Sequence, residues 1–296
     1  MMYGMSTGTN LYKFRIDLAS ATLLATQTGI ALFLAWWLLD LAGLAVVFLA
    51  MLVPFGPLAT GSRPLGRPLD AYSAPGLSRL VAHLSDRAGL GELPEIRFLP
   101  TPLINAAASR AQGRSQILVT DGLMRSLDGP ELAGVLAHEV SHLKHRDLAS
   151  FRWIMAMQAL VLAIGLTTLL LLGPHPALAL ALLLAVPFMR FLAAAHSRLR
   201  EYAADLGAAE LTGDPAALAR ALYRIEYRPR NFWEVLTGVR PRPVSGQEES
   251  AFRSHPPTPE RIRRLLALAQ RNIVPGDAGT PRWRGGPAWG LRRMAS

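Results

Sequence analysis

The chain has 296 residues, 51% of them hydrophobic and only 18% charged, with a mean hydropathy of +0.24 and a formal charge of +10. Apolar residues gathered in blocks at that density exclude an ordinary soluble domain and predict a membrane protein. The absence of cysteine excludes disulfides and thiolate metal sites, so a transition metal would have to be held by His, Asp or Glu.

The positive charge is almost wholly arginine, since Lys13 and Lys144 are the only lysines. The arginines crowd the polar segments beside the apolar blocks, as the positive-inside rule expects. That placement makes the lipid bilayer the expected partner and argues against nucleic acid, the other reading of so basic a chain.

Residues 1–16 are polar and end in Lys13 and Arg15. The apolar run from Leu18 to Phe55, broken mainly by Gln27, Thr28 and Asp40, is too long for a signal-peptide core or for one span. It predicts a helical hairpin over 17–37 and 41–57 with its turn near Asp40. Four prolines and four glycines make 56–76 a linker, and the spacing of Leu77, Leu80, Val81 and Leu84 predicts a soluble helix to Ala88. Short β-rich runs stand at 96–99 and 116–120, and the segment between them, with Asn105 to Ala108, reads as a loop. Asp121-Gly122 reads as a turn and 123–127 as a short helix.

Asp128-Gly129-Pro130-Glu131 is a strong helix start, with an Asp cap, Pro in the first turn and Glu three residues on. On the helix it opens, Leu132, Leu136 and Leu143 share the core face. His138-Glu139-Val140-Ser141-His142 follows, an HExxH pattern expected by chance roughly 0.006 times in a chain of this composition. Histidines at i and i+4 lie one above the other on one helix face, as two ligands of a single ion require, and Glu139 between them can hold a water.

Apolar blocks return at 153–172 and at 176–187, the second reaching spanning length when extended to about Ala195. They predict a second hairpin with His175 in its turn. Helices follow over 190–211 and from Asp214-Pro215 to about Tyr227, and the run 255–262 leads into a last amphipathic helix ending near Arg271; 228–250 and the tail 272–296 show no core-forming pattern. The expected fold is a mainly α integral membrane protein: two transmembrane hairpins plus an α+β catalytic domain with a small β-sheet. Its parts are 1–57 (N-terminus and first hairpin), 58–150 (catalytic, with HExxH), 151–195 (second hairpin), 196–271 (catalytic, second part) and 272–296 (basic tail). Two hairpins put 58–150 and 196–296 on one arginine-rich face, expected to be cytoplasmic.

A catalytic zinc usually takes three protein ligands and a water. The metzincin third histidine would fall at 148, where Leu148 stands, and the inverted HxxEH pattern is absent. Glu201, from the later helix, is the candidate third ligand; the other reading makes it a surface acid paired with Arg198. His145 is an alternative ligand of unusual spacing. Asp205, one turn after Glu201, is placed to accept a hydrogen bond from a ligand histidine. His83 and His196 read as surface residues.

The run Gly134 to His142, then Arg146-Asp147, an apolar hairpin and Ser197-Arg198-Leu199-Arg200-Glu201-Tyr202-Ala203-Ala204-Asp205 resembles the HtpX family of membrane zinc metallopeptidases, to which the CAAX prenyl proteases are more distantly related. Asn105-Ala106, Thr120-Asp121-Gly122-Leu123 and His255-Pro256-Pro257 with Arg261-Ile262 extend the resemblance over most of 1–270; Ala107 stands where that family often has an aromatic residue. The resemblance implies a zincin-like (gluzincin) catalytic domain with one zinc ion on His138, His142 and Glu201. It implies Glu139 as general base and acid, and an edge strand at about 115–120 that pairs with an extended substrate. By analogy with the closing motif, His255 is the expected oxyanion donor. The function implied is endopeptidase cleavage of damaged or misfolded membrane proteins at a bacterial inner membrane, on the cytoplasmic side. The alternatives are a site-2-type intramembrane protease and a non-catalytic zinc-binding scaffold.

Overall fold

A computed structural model of the chain describes residues 7–52, 64–173, 176–226 and 258–271. Among these, two compact units form: one from 7–52, 146–173 and 176–203, the other from 64–145, 204–226 and 258–271.

The first unit is helical. Helix α1, Thr7–Leu52, is interrupted at Asp40 (φ 52°, ψ −138°). The break falls at the expected turn, although the helix begins ten residues earlier than the expected span. Helices α5 (Asp147–Leu172) and α6 (Pro176–Thr212) follow later in the chain. Among the described residues three stretches are long and apolar enough to cross a membrane: Asn10–Asp40, Asp147–Leu170 and Pro176–Thr212. Their inward faces pack Ala31, Leu34, Met157, Val161, Ile164 and Met189 together. Outward, Phe33, Leu166, Leu170, Leu183 and Leu184 are each more than half exposed. So broad an apolar surface is costly in water and ordinary in hydrocarbon. At 37 residues α6 is about 55 Å long, well beyond the ~30 Å hydrocarbon thickness, so its polar second half lies outside any span it makes.

Polar pairs pin the same helices. Trp153 Nε1 donates to Thr28 Oγ1 at 3.0 Å, and Arg200 bonds Asp147 at 2.5 Å and Asp17 at 3.2 Å. His196, expected at the surface, is 3% exposed and hydrogen-bonded to Ser20 through Nδ1 at 3.1 Å. The expectation fails because its partner Ser20 stands 176 residues away in the chain, where no local pattern on α6 announces it.

The second unit packs helices on a four-stranded sheet of order β1-β2-β4-β3, with β1 at Arg67–Pro68, β2 at Glu95–Leu99, β3 at Ala106–Ala111 and β4 at Arg114–Thr120. β4 is parallel to β2 and antiparallel to β3. Two expectations are corrected here. The segment around Ala106 is a strand, not a loop, and β4 is interior, so the free edge beside it belongs to β3. Alanine is a poor strand former, which hid β3 from a propensity argument. The strand exists because it pairs along β4 and returns through Gln112 (φ 50°) and Gly113 (φ 78°), a two-residue turn whose left-handed conformations match the twist of a hairpin.

Helices α2 (Pro75–Ala88), α3 (Asp121–Ser126), α4 (Gly129–Lys144), α7 (Pro215–Glu226) and α8 (Thr258–Arg271) complete this unit. Leu77, Leu80, Ile117, Leu132, Leu136, Leu218 and Leu265 are fully buried in one core. α4 lies at its centre, with Glu131 through Ser141 buried. Its start is locked as the sequence predicts: Glu131 N donates to Asp128 Oδ1 at 2.9 Å and Asp128 N to Glu131 Oε2 at 3.1 Å. At 16 residues, about 24 Å, α4 is too short to span a bilayer, which counts against the site-2-type reading.

Candidate active site

The site is built on the last two turns of α4. His138 and His142 stack as the i, i+4 spacing requires, their rings perpendicular with centroids 4.6 Å apart. Their Nε2 atoms approach to 3.0 Å. Two Zn–N bonds of ~2.1 Å at a tetrahedral angle would set them roughly 3.4 Å apart, so the pair already converges on one ligand position.

Helix α6 supplies the carboxylates. It runs unbroken from Glu201 through Asp205, which sets the two acids one turn apart on the same face. Among the described residues, His138, His142 and Glu201 are the group that could hold a metal ion: each offers one ligand atom, and these atoms lie within 4.8 Å of one another. Glu201 is 7% exposed, which removes the reading of it as a surface acid. Two imidazole nitrogens and a carboxylate oxygen form a donor set that zinc accepts, so the residues present fit the ion that the sequence implies. His145 is not in the group; its Nδ1 lies 2.8 Å from the Ser141 carbonyl oxygen, one turn back.

Asp205 lies behind the first histidine. Its Oδ1 is 3.1 Å from His138 Nδ1, and it is 5% exposed. A proton held on Nδ1 by that carboxylate puts the ring's lone pair on Nε2, on the side where the histidines converge. Burial pushes the Asp205 carboxyl up, but the Arg261 guanidinium bonded to it, with His138, more than offsets this and holds it below the usual carboxylate range.

Glu139 points from α4 to the sheet, where its Oε2 accepts a hydrogen bond from the Ala108 N–H of β3 at 2.6 Å. The carboxylate is 9% exposed. The N–H comes from the free edge of β3, opposite β4, because Ala108 stands across from Ile117 in the ladder. His255 lies outside the described residues.

Two features of the site escape a linear reading. Gly207 lets α6 cross close over α4: a Cβ there would stand 2.1 Å from Ser141 Oγ, inside the HExxH motif. Arg261, on α8, reaches Asp205 from 56 residues away. Neither has a local signal of its own; the His255-Pro256-Pro257…Arg261-Ile262 run marks only the neighbourhood.

Residues 72–269 match peptidase family M48. A protein described as Protease HtpX homolog from Acidiphilium cryptum is 35% identical over 263 residues, covering 81% of this chain and 84% of that one. Another of that description from Pyrococcus furiosus is 37% identical over 224 residues, covering 69% and 76%. Among solved structures, Ste24p of S. mikatae aligns at 19% identity with a TM-score of 0.43, over 87% of this chain; the chain spans 65% of its length. The family match and the HtpX relatives agree: the chain belongs to peptidase family M48, whose members are zinc metalloproteases, and is a membrane-bound protease of that family.

Proposed function

We propose that the protein is a zinc-dependent endopeptidase that cuts damaged or misfolded membrane proteins on the cytoplasmic side of a bacterial inner membrane. The observation that carries the reading is the convergence of His138, His142 and Glu201 within 4.8 Å, with the Glu139 carboxylate on the same helix between the two histidines. In this reading those three residues hold one zinc ion. Bound there, zinc polarises the scissile carbonyl and acidifies a water.

The chain's own residues do the rest. Glu139 accepts the water's proton on the oxygen that Ala108 leaves available, then returns it to the leaving amine. The Ala108 N–H fixes the carboxylate against the edge strand, so acid–base chemistry and substrate backbone meet at one place. β3, rather than β4, is the strand that would pair with an extended polypeptide. Asp205 keeps His138 in the tautomer that a metal ligand needs. His255 is proposed as the oxyanion donor, on its place in the closing motif.

Two transmembrane hairpins, 1–57 and 151–195, would carry a zincin-like domain made of 58–150 and 196–271, ahead of the tail 272–296. The arginine-rich polar segments support a cytoplasmic placement, and substrates sharing that membrane follow from it. The test is to purify wild type and Glu139→Ala with zinc and to follow cleavage of an unfolded membrane polypeptide. Equal zinc content with activity confined to wild type is expected; equal cleavage by both would falsify the mechanism.

A further inference from the structure

We propose that Arg261 is a positioning residue for the metal site, holding Asp205, and through it His138, in the orientation that a ligand requires. The inference rests on reading His138, His142 and Glu201 as metal ligands. Arg261 comes from α8, 123 residues from His138 in sequence. Its guanidinium forks onto one carboxylate: Nε to Asp205 Oδ2 at 2.8 Å and Nη2 to Oδ1 at 2.6 Å. The same Oδ1 is the atom 3.1 Å from His138 Nδ1, and Nη2 stands 3.5 Å from both ring nitrogens of His138. All three residues are buried.

The fork matters because an aspartate held by one hydrogen bond can still turn about its last side-chain torsion. Two parallel bonds from a planar guanidinium fix the carboxylate plane, which sets Oδ1 where the Nδ1 proton of His138 must point. The imidazole then cannot rotate or change tautomer without breaking the chain of bonds. Arg261 also answers a charge problem: Glu201 and Asp205 are acids at i and i+4 on one helix, an arrangement that repels. A cation bonded to Asp205 offsets that repulsion without occupying the metal position. Lysine would supply the charge but not the fork, so the two contributions are separable.

The experiment uses the full chain in detergent and measures zinc affinity by competition with a chromophoric chelator, together with the melting temperature of the metal-free protein. Arg261→Lys keeps the charge and is expected to melt near wild type while its zinc dissociation constant rises by about tenfold, with Arg261→Gln toward a hundredfold. Asp205→Asn should raise the constant similarly, and adding Arg261→Lys to it should change nothing further, because the arginine acts through Asp205. A visible spectrum of the cobalt-loaded protein that shifts in Arg261→Lys supports the same conclusion. Wild-type zinc affinity in folded Arg261→Lys, or an undiminished effect of that substitution in the Asp205→Asn background, overturns the proposal. Failure of the wild-type protein itself to bind zinc overturns instead the metal site on which it rests.

Discussion

The two ends of α4 carry the same side chain for opposite purposes. Glu131, in the first turn, is fully buried; one oxygen accepts the Asp128 N–H of the cap and the other lies 3.0 Å from Arg224 Nε. Glu139, eight residues on, meets a backbone N–H of β3 at 2.6 Å, and among the described residues no cation pairs with it. A carboxylate with both oxygens committed to a cap and a cation is a structural part. One held by a single neutral donor keeps an oxygen for chemistry. The difference lies in what the surrounding fold brings to each.

The sharpest way to break the comparison is to neutralise the two acids in turn. Glu139→Gln should lower kcat/KM by about 10²–10⁴-fold with bound zinc unchanged, measured on an unfolded polypeptide substrate. Activity within a few-fold of wild type would place the base elsewhere. The next effect is on packing beside the motif. Gly207→Ala puts a Cβ 2.1 Å from Ser141 Oγ and 3.0 Å from Ser141 Cβ, so α4 and α6 must shift apart. A loss of about 1–3 kcal/mol in unfolding free energy is expected, with weaker zinc retention. Glu131→Ala should cost about 1–2 kcal/mol through the lost cap while activity per folded molecule stays at the wild-type value. A fall in activity beyond the fall in folded fraction would contradict the structural role given to that end.

The smallest effect comes from a third acid, Glu92, which stands exposed and bonds Ser115 at the start of β4. The Ser115 hydroxyl, with Arg110 and Arg114 nearby, outweighs a slight desolvation and holds the Glu92 carboxyl below its usual value. A carboxyl depressed on folding adds stability above its unfolded pKa and loses it as pH falls through the folded one. Glu92→Gln should therefore cost a few tenths of a kcal/mol, about the scale of an exposed pair, at neutral pH and nothing in acid. Denaturant melts at pH 7 and pH 3 give the difference.

The legibility of this chain follows the range of the interactions involved. The α4 cap, the stacked histidines and the apolar blocks are local: each depends on residues within one or two turns, or on the composition of a single run. Asp128, Glu131, His138, His142 and the apolar blocks were therefore readable directly, although two hairpins call for four spans and three stretches among the described residues are long and apolar enough to cross a membrane. β3 was not, because Ala106 to Ala108 have no strand preference and become a strand only through pairing with Leu118, Ile117 and their neighbours on β4. The assignment of the sheet's edge to β4 failed for the same reason, since strand order is a property of the whole sheet.

By itself the sequence determined the membrane character, the position of the HExxH helix and the chemical type of the donors it offers, since composition and i, i+4 periodicity are fixed by the chain alone. Tertiary structure decided which strand is free, that His196 is buried, that Ala108 holds Glu139, and that Asp205 and Arg261 stand behind His138. The last three relations join residues 31 to 176 positions apart, and packing, not spacing, sets such distances.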